Sequence, residues 1–178
     1  MTRVHERFFA GFGAFLFLAS ACTLTIYVIM QSSSSSNTAN STAQQPPACS
    51  DSQTEPTLAA PSAYVPTGPI NSLQVTDLTN GTGPAAKDGD CLVVKYYGTL
   101  ATNGKVFDQN FNQPTAFAFT LGKGQVIQGW DKGLVGMKVG GTRRLVIPAA
   151  QAYGSQSPSS AIPANSNLVF VVKLLRIQ

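Results

Sequence analysis

Residues able to carry acid–base, nucleophilic or metal chemistry are few in this chain, and they are scattered. The only histidine is His5, so His-dependent triads and His-ligated metal sites are excluded from everything downstream. Beyond residue 64 the acids are Asp77, Asp88, Asp90, Asp108 and Asp131, with no Glu. Asp88 and Asp90 fall in a Lys87-Asp88-Gly89-Asp90 turn, where solvated turn residues are the default reading. Gly122-Lys123-Gly124 lacks the third glycine and the βαβ setting of a dinucleotide site, and no Gly-x-Ser-x-Gly or P-loop occurs. No metal site is expected. What remains is a Gly-rich, aromatic-rich sequence without nucleophile or base. One reaction needs neither: rotation about an X-Pro bond, whose barrier is about 18–20 kcal/mol and which takes tens to hundreds of seconds unaided. The planar amide is more polar than the twisted one, so an apolar, water-poor pocket for the proline ring favours the twisted form.

The elements that must position such a pocket are mostly strands. Ser72 to Thr79 reads as a short strand that stops at Asn80-Gly81-Thr82-Gly83-Pro84. From Cys91 to Leu100 residues alternate, with Leu92, Val94, Tyr96 and Leu100 on one face and Lys95 and Thr99 on the other. Thr102-Asn103-Gly104-Lys105 is a hairpin signal, because Asn-Gly accepts positive φ at both turn positions, and Lys105 to Asp108 begins the return strand. Thr115 to Leu121, Thr142 to Ile147 and Asn167 to Arg176 are also β-rich, the last continuous enough to be central. Only Gln125 to Gly133 reads as helical; Val126, Ile127, Trp130 and Leu134 make one apolar face, and Gly129 and Gly133 mean that packing must hold it. The expectation is an α+β domain, an antiparallel sheet curled around one short helix, over residues 64–178.

Ahead of it the composition changes twice. Residues 8–30, from Phe8 to Met30, contain no charged residue and hold five of the ten Phe. As a helix they would span about 34 Å, against a hydrocarbon core of about 30 Å. Arg3 and Arg7 precede the run and the next charge is Asp51. The positive-inside rule then predicts a cytoplasmic N-terminus over residues 1–7, a transmembrane signal anchor over 8–30, and a domain tethered to the membrane on the extracytoplasmic side, or secreted if the segment is cleaved. Residues 31–63 are Ser, Thr, Asn, Gln, Pro and Ala with almost no large apolar side chain, which predicts a disordered linker. Cys22 lies in the apolar run, leaving Cys49 and Cys91 to form one disulfide or to stay two unpaired thiols. Formal charge is +4 and the Lys and Arg are dispersed, so no nucleic-acid partner is expected.

Tyr96-Tyr97-Gly98-Thr99-Leu100, then Asn103-Gly104, then Val106-Phe107-Asp108 resembles the signature of FKBP-type peptidyl-prolyl isomerases (rotamases). The order continues through Phe117-Ala118-Phe119-Thr120-Leu121-Gly122, Gln125-Val126-Ile127-Gln128-Gly129-Trp130, Ile147-Pro148, Ala152-Tyr153-Gly154, Ile162-Pro163 and Leu168-Val169-Phe170. The resemblance runs from about Leu73 to Ile177. It implies an FKBP-like fold and a peptidyl-prolyl cis/trans isomerase that acts on proline-containing polypeptides, here in the folding of exported proteins. It also implies no cofactor, and binding of macrolides of the tacrolimus and rapamycin type. By the same resemblance Trp130 floors the pocket, and Tyr96, Phe107, Phe117, Val126, Ile127, Ile162 and Phe170 wall it. The Ile127 N–H takes a substrate carbonyl, Asp108 and Tyr153 are polar contacts at the rim, and Ser155 to Ala164 form a mobile flap. The loop from Gln109 to Ala116 departs from the pattern, since it carries no Arg beside Asp108. A non-catalytic module using the same pocket to hold proline peptides, or to act as a chaperone, is the alternative reading.

Overall fold

The computed structural model describes residues 49–178. The expected cytoplasmic N-terminus (1–7), the expected anchor (8–30) and the linker as far as residue 48 lie outside the described residues. Six strands, β1 (Gln74–Thr79), β2 (Cys91–Leu100), β3 (Val106–Gln109), β4 (Phe117–Thr120), β5 (Thr142–Ile147) and β6 (Leu168–Ile177), form one sheet in the order β1-β5-β6-β2-β3, with β4 also on β2. Every pairing is antiparallel. The helix α1 (Gln128–Gly133) is shorter than its sequence pattern, with Val126 and Ile127 in the bend that leads into it. A 3-10 turn, Ala149–Gln151, follows β5.

Strand β2 organises the rest. Along one edge it pairs with β6 from Leu92 to Leu100. Along the other it pairs with β4 over Cys91–Val94 and with β3 over Tyr97–Thr99. Between these two partners the side chain of Asn110 stands in for a strand. Its Oδ1 accepts from the Tyr96 N–H at 2.6 Å, its Nδ2 donates to the Val94 carbonyl at 3.4 Å, and its own N–H donates to the Tyr96 carbonyl at 3.0 Å. The buried Asn110 thus satisfies backbone groups that would otherwise be orphaned. The β2–β3 hairpin forms, but through a longer turn than Asn-Gly alone suggests. Gly104 has φ 69° while Asn103 stays at negative φ, its side chain accepting instead from the Lys105 N–H at 2.9 Å.

Helix α1 lies on the inner face of the sheet. A Cβ on Gly129 would sit 2.5 Å from Ile147, and one on Gly133 would sit 2.7 Å from Leu145. The two glycines that weaken the helix in isolation are what let it approach β5 so closely, which places Trp130 and Leu134 among Leu92, Phe119, Leu145 and Phe170. Burial of this apolar face compensates for the poor helix propensity.

The outer face of the sheet is covered by the chain that precedes β1. Ile70 packs on Ala101, Val146 and Val169, and the Arg144 guanidinium stands 3.7 Å over the Tyr64 ring. Cys49 and Cys91 are joined in a disulfide that ties this chain to the start of β2. Residues 49–63, expected to belong to a disordered linker, therefore lie along the domain. The expectation weighed apolar area alone, whereas this segment is held by a covalent bridge, ion pairs and backbone hydrogen bonds. Lys95 and Thr99, which alternation points outward, are nevertheless buried.

Arg143 joins three elements. Its Nε and Nη2 donate to the Asp77 carboxylate on β1 at 2.6 and 3.1 Å, and its Nη1 donates to the carbonyls of Gly133 and Val135 at the end of α1. Arg143→Met, which leaves those acceptors unpaired, is expected to cost about 3 kcal/mol in urea unfolding. The Asp77 carboxyl is held below its ordinary value, first by the hydrogen bonds from Arg143 and then, against burial, by its charge. A carboxyl depressed by folding contributes stability that is present above about pH 4 and is lost as pH falls through its folded value. Asp77→Asn should therefore flatten the acid limb of the stability–pH curve below about pH 4.

Candidate functional site

Ten residues surround a cavity of about 250 Å³ on the inner face of the sheet. β2 supplies Tyr96, β3 supplies Phe107 and Asp108, β4 supplies Phe117, and β6 supplies Phe170. Gln125, Val126 and Ile127 come from the bend before α1, Trp130 from the helix itself, and Tyr153 from just after the 3-10 turn. Nine of the expected site residues are thus brought together: Tyr96, Phe107, Asp108, Phe117, Val126, Ile127, Trp130, Tyr153 and Phe170. Ile162 is not. It is buried in the main core cluster rather than on the cavity wall.

The indole of Trp130 is the centre of the arrangement. Its ring meets Phe170 edge-on at 5.2 Å and 88°, Tyr96 at 5.6 Å and 74°, and Phe117 at 6.2 Å and 73°; Phe119 lies tilted at 5.6 Å. Four rings from three strands fix the indole in one orientation by contacts that favour edge-to-face geometry. Its Nε1 is buried without a partner among the described residues. A second aromatic pair, Phe107 with Phe170 at 5.5 Å and 82°, forms the opposite wall. That wall depends on Gly98: a Cβ there would fall 2.8 Å from both rings.

The polar edge is small. The Tyr96 hydroxyl donates to Asp108 Oδ2 at 2.7 Å. Burial raises the Tyr96 phenol well above its ordinary range, and the hydrogen bond and charge of Asp108 add to it. Burial, then the charge of Asp108, also raises the Tyr153 phenol. Both hydroxyls therefore stay protonated, and that of Tyr96 donates to Asp108. Asp108 makes no ion pair among the described residues. Among the described residues no cluster of His, Cys, Asp or Glu has the makings of a metal site.

Two residues escaped the sequence reading. Gln125 lines the cavity while its Oε1 accepts from the Thr120 N–H at 2.8 Å, and Asn110 holds β2 open between its two partners. Neither has an apolar period to reveal it. The segment expected to be a mobile flap is tied internally, since Ser157 Oγ donates to the carbonyls of Ser159 and Ile162 at 3.0 and 2.8 Å and the Asn165 N–H donates to Gly154 at 2.7 Å.

A sheet wrapped on one short helix, with an aromatic cavity between them, defines a class, and the comparisons identify it. The profile of the FKBP-type peptidyl-prolyl cis-trans isomerases matches residues 83–175, so the chain belongs to that family. FK506-binding protein 4 of Neurospora crassa is 52% identical over 109 residues, 61% of this chain and 23% of that protein. A peptidyl-prolyl cis-trans isomerase of Saccharomyces cerevisiae is 52% identical over 104 residues, 58% of this chain and 25% of that one. The crystal structure of AtFKBP13 is 35% identical, with a TM-score of 0.54 over 65% of this chain and 98% of that one. The chain spans about a quarter of the length of the curated relatives it matches.

The relatives also correct the expected location. The 46 kDa FK506-binding nuclear protein of Spodoptera frugiperda is 46% identical over 106 residues, a likeness at odds with a membrane-tethered, extracytoplasmic placement. Among the described residues no helix is long and apolar enough to cross a membrane. The expected membrane-anchored placement does not agree with this relative. The client class of exported proteins rested on it and falls with it.

Trp130 is 4% exposed, and Trp130→Ala is expected to cost about 3–5 kcal/mol in denaturant unfolding. An unchanged melting temperature would contradict the packing described.

Proposed function

We propose that this chain accelerates cis/trans isomerisation of X-Pro bonds in polypeptides by seating the proline ring on Trp130. The observation that carries this is the aromatic cavity whose floor is fixed by rings from three strands and whose edge holds two phenols and one carboxylate. Phe107, Phe117, Val126, Ile127 and Phe170 exclude water from the prolyl amide, so the less polar twisted form is favoured over the planar one. A millionfold acceleration requires about 8 kcal/mol of such preference, at 1.36 kcal/mol per decade. The Ile127 N–H takes a substrate carbonyl, and the Tyr153 hydroxyl and Asp108 orient the peptide without transferring protons. Macrolides of the tacrolimus and rapamycin type compete for the same cavity.

Asp108 is the only formally charged residue on the cavity wall, and it has no cation beside it among the described residues. Peptides with Lys or Arg next to the proline are therefore favoured over those with Glu, an advantage that salt screens.

A protease-coupled assay on short X-Pro peptides tests the reading. Folded protein should accelerate isomerisation, tacrolimus should abolish the gain, and Gly98→Ala should weaken it through the displaced Phe107 and Phe170 rings. A folded protein that binds tacrolimus without accelerating rotation would make this a holding module instead. In the same assay Asp108→Asn should erase the difference between Lys- and Glu-flanked peptides.

A further inference from the structure

Residues 49–58 lie outside the span matched by the family profile, yet they are built into the back of the site. The Cys49–Cys91 disulfide fixes their start to the first residue of β2. The Arg176 guanidinium on β6 lies between the carboxylates of Asp51 and Glu55. From that anchored position the Glu55 N–H donates to the Pro114 carbonyl and the Leu58 N–H to the Phe111 carbonyl, both at 2.7 Å. Lys95, fully buried on the outer face of β2, donates from the same side to the carbonyls of Gln113 and Thr115. Burial lowers the Lys95 pKa, and the charges of Glu55 and Asp51 oppose that.

All these donors converge on one loop. Four carbonyls between Phe111 and Thr115 are taken up from behind the sheet, by two strap amides and one lysine. Two residues after Thr115 the chain enters β4 at Phe117, whose ring closes the cavity against Tyr96 and Trp130. Phe117 is itself 38% exposed, so packing from the front holds it only in part. Its backbone is the last pair of the β2–β4 ladder, opposite Val94, and the loop behind it fixes how the chain enters that pair.

We propose that the strap of residues 49–58, acting with Lys95, is a positioning element of the proline site: it braces loop 110–116 and so sets the Phe117 wall. Glu55, Asp51 and Lys95 are positioning residues, remote from the bound proline. The inference rests on the isomerase reading only for its kinetic arm. Releasing the strap loosens one aromatic wall and leaves the Trp130 floor, the Tyr96–Asp108 pair and the Phe107–Phe170 wall in place. Ground-state binding is therefore what suffers.

The test uses the full chain carrying Cys49→Ser, Asp51→Asn, Glu55→Gln and Cys91→Ser together, and separately Lys95→Met. KM for an X-Pro peptide should rise roughly three- to tenfold, the factor carried by one aromatic contact, with kcat nearly unchanged. Trp130 is the only tryptophan in the chain, so its fluorescence reports on the cavity. Quenching by acrylamide should increase in both variants, and tacrolimus should restore protection. Variants that melt earlier but keep the original KM and quenching would reduce the strap to a stabiliser and overturn the proposal.

Hydrogen exchange on the unmodified chain gives an answer even if a variant does not fold. The Glu55 and Leu58 amides should open together with those of Asn110 and Gln113, and independent opening overturns the idea. If the unmodified chain lacks isomerase activity, the proposed function fails while the quenching and exchange measurements still decide the role of the strap.

Discussion

The structure depends on the burial of one indole at the meeting point of a helix and a sheet. Trp130 can occupy that point only because α1 approaches β5 within the reach of a missing Cβ at Gly129 and Gly133. Once there, it is hemmed by Tyr96, Phe117, Phe119 and Phe170 from three strands. The cavity is thus a by-product of core packing: the rings that stabilise the helix against the sheet are the rings that remain partly uncovered on its open side. A site built this way has little freedom to rearrange, which suits a reaction driven by preference for one amide geometry.

The electrostatics of the site are correspondingly spare. One carboxylate, one phenol bonded to it and one phenol nearby complete the rim, and both phenols are driven to stay neutral. Charge is concentrated elsewhere: in the Arg143–Asp77 link that locks α1 to β1 and β5, and in Arg176 with its two acids on the outer face. Formal charge fastens the elements together, while the cavity itself stays apolar. This division keeps the local polarity low, as the proposed isomerisation requires.

Much of this was legible in the sequence because the fold announces itself by period. Alternation gave β2 and β4, the continuous apolar run from Leu168 to Val172 marked β6 as a central strand, and the ordered motifs from Tyr96 to Phe170 brought nine of the proposed residues to one cavity. Three kinds of feature were hidden. Ile162 carries the same apolar signal whether it faces a cavity or the core, so its type alone did not separate them. Asn110 and Gln125 act through amide hydrogen bonds that leave no periodic trace. The strap at residues 49–58 reads as polar linker because its order comes from a disulfide, Arg176 and backbone donors, none of which a count of apolar residues registers. The apolar run at 8–30 misled in the opposite way: its length argued for a compartment, whereas a relative sharing the domain carries a nuclear name.

The handover on β2 sets a geometric limit on variation. β2 leaves β3 at Tyr97 and takes up β4 at Val94, with the amide of Asn110 filling the gap. Chain length between Gln109 and Phe117 must match that gap, because in a strand one residue more or fewer turns every side chain to the opposite face. A single deletion would swap the places of Ala118 and its phenylalanine neighbours and line the cavity with a methyl group. The number of residues in this loop is therefore more tightly constrained than the identities of most of them.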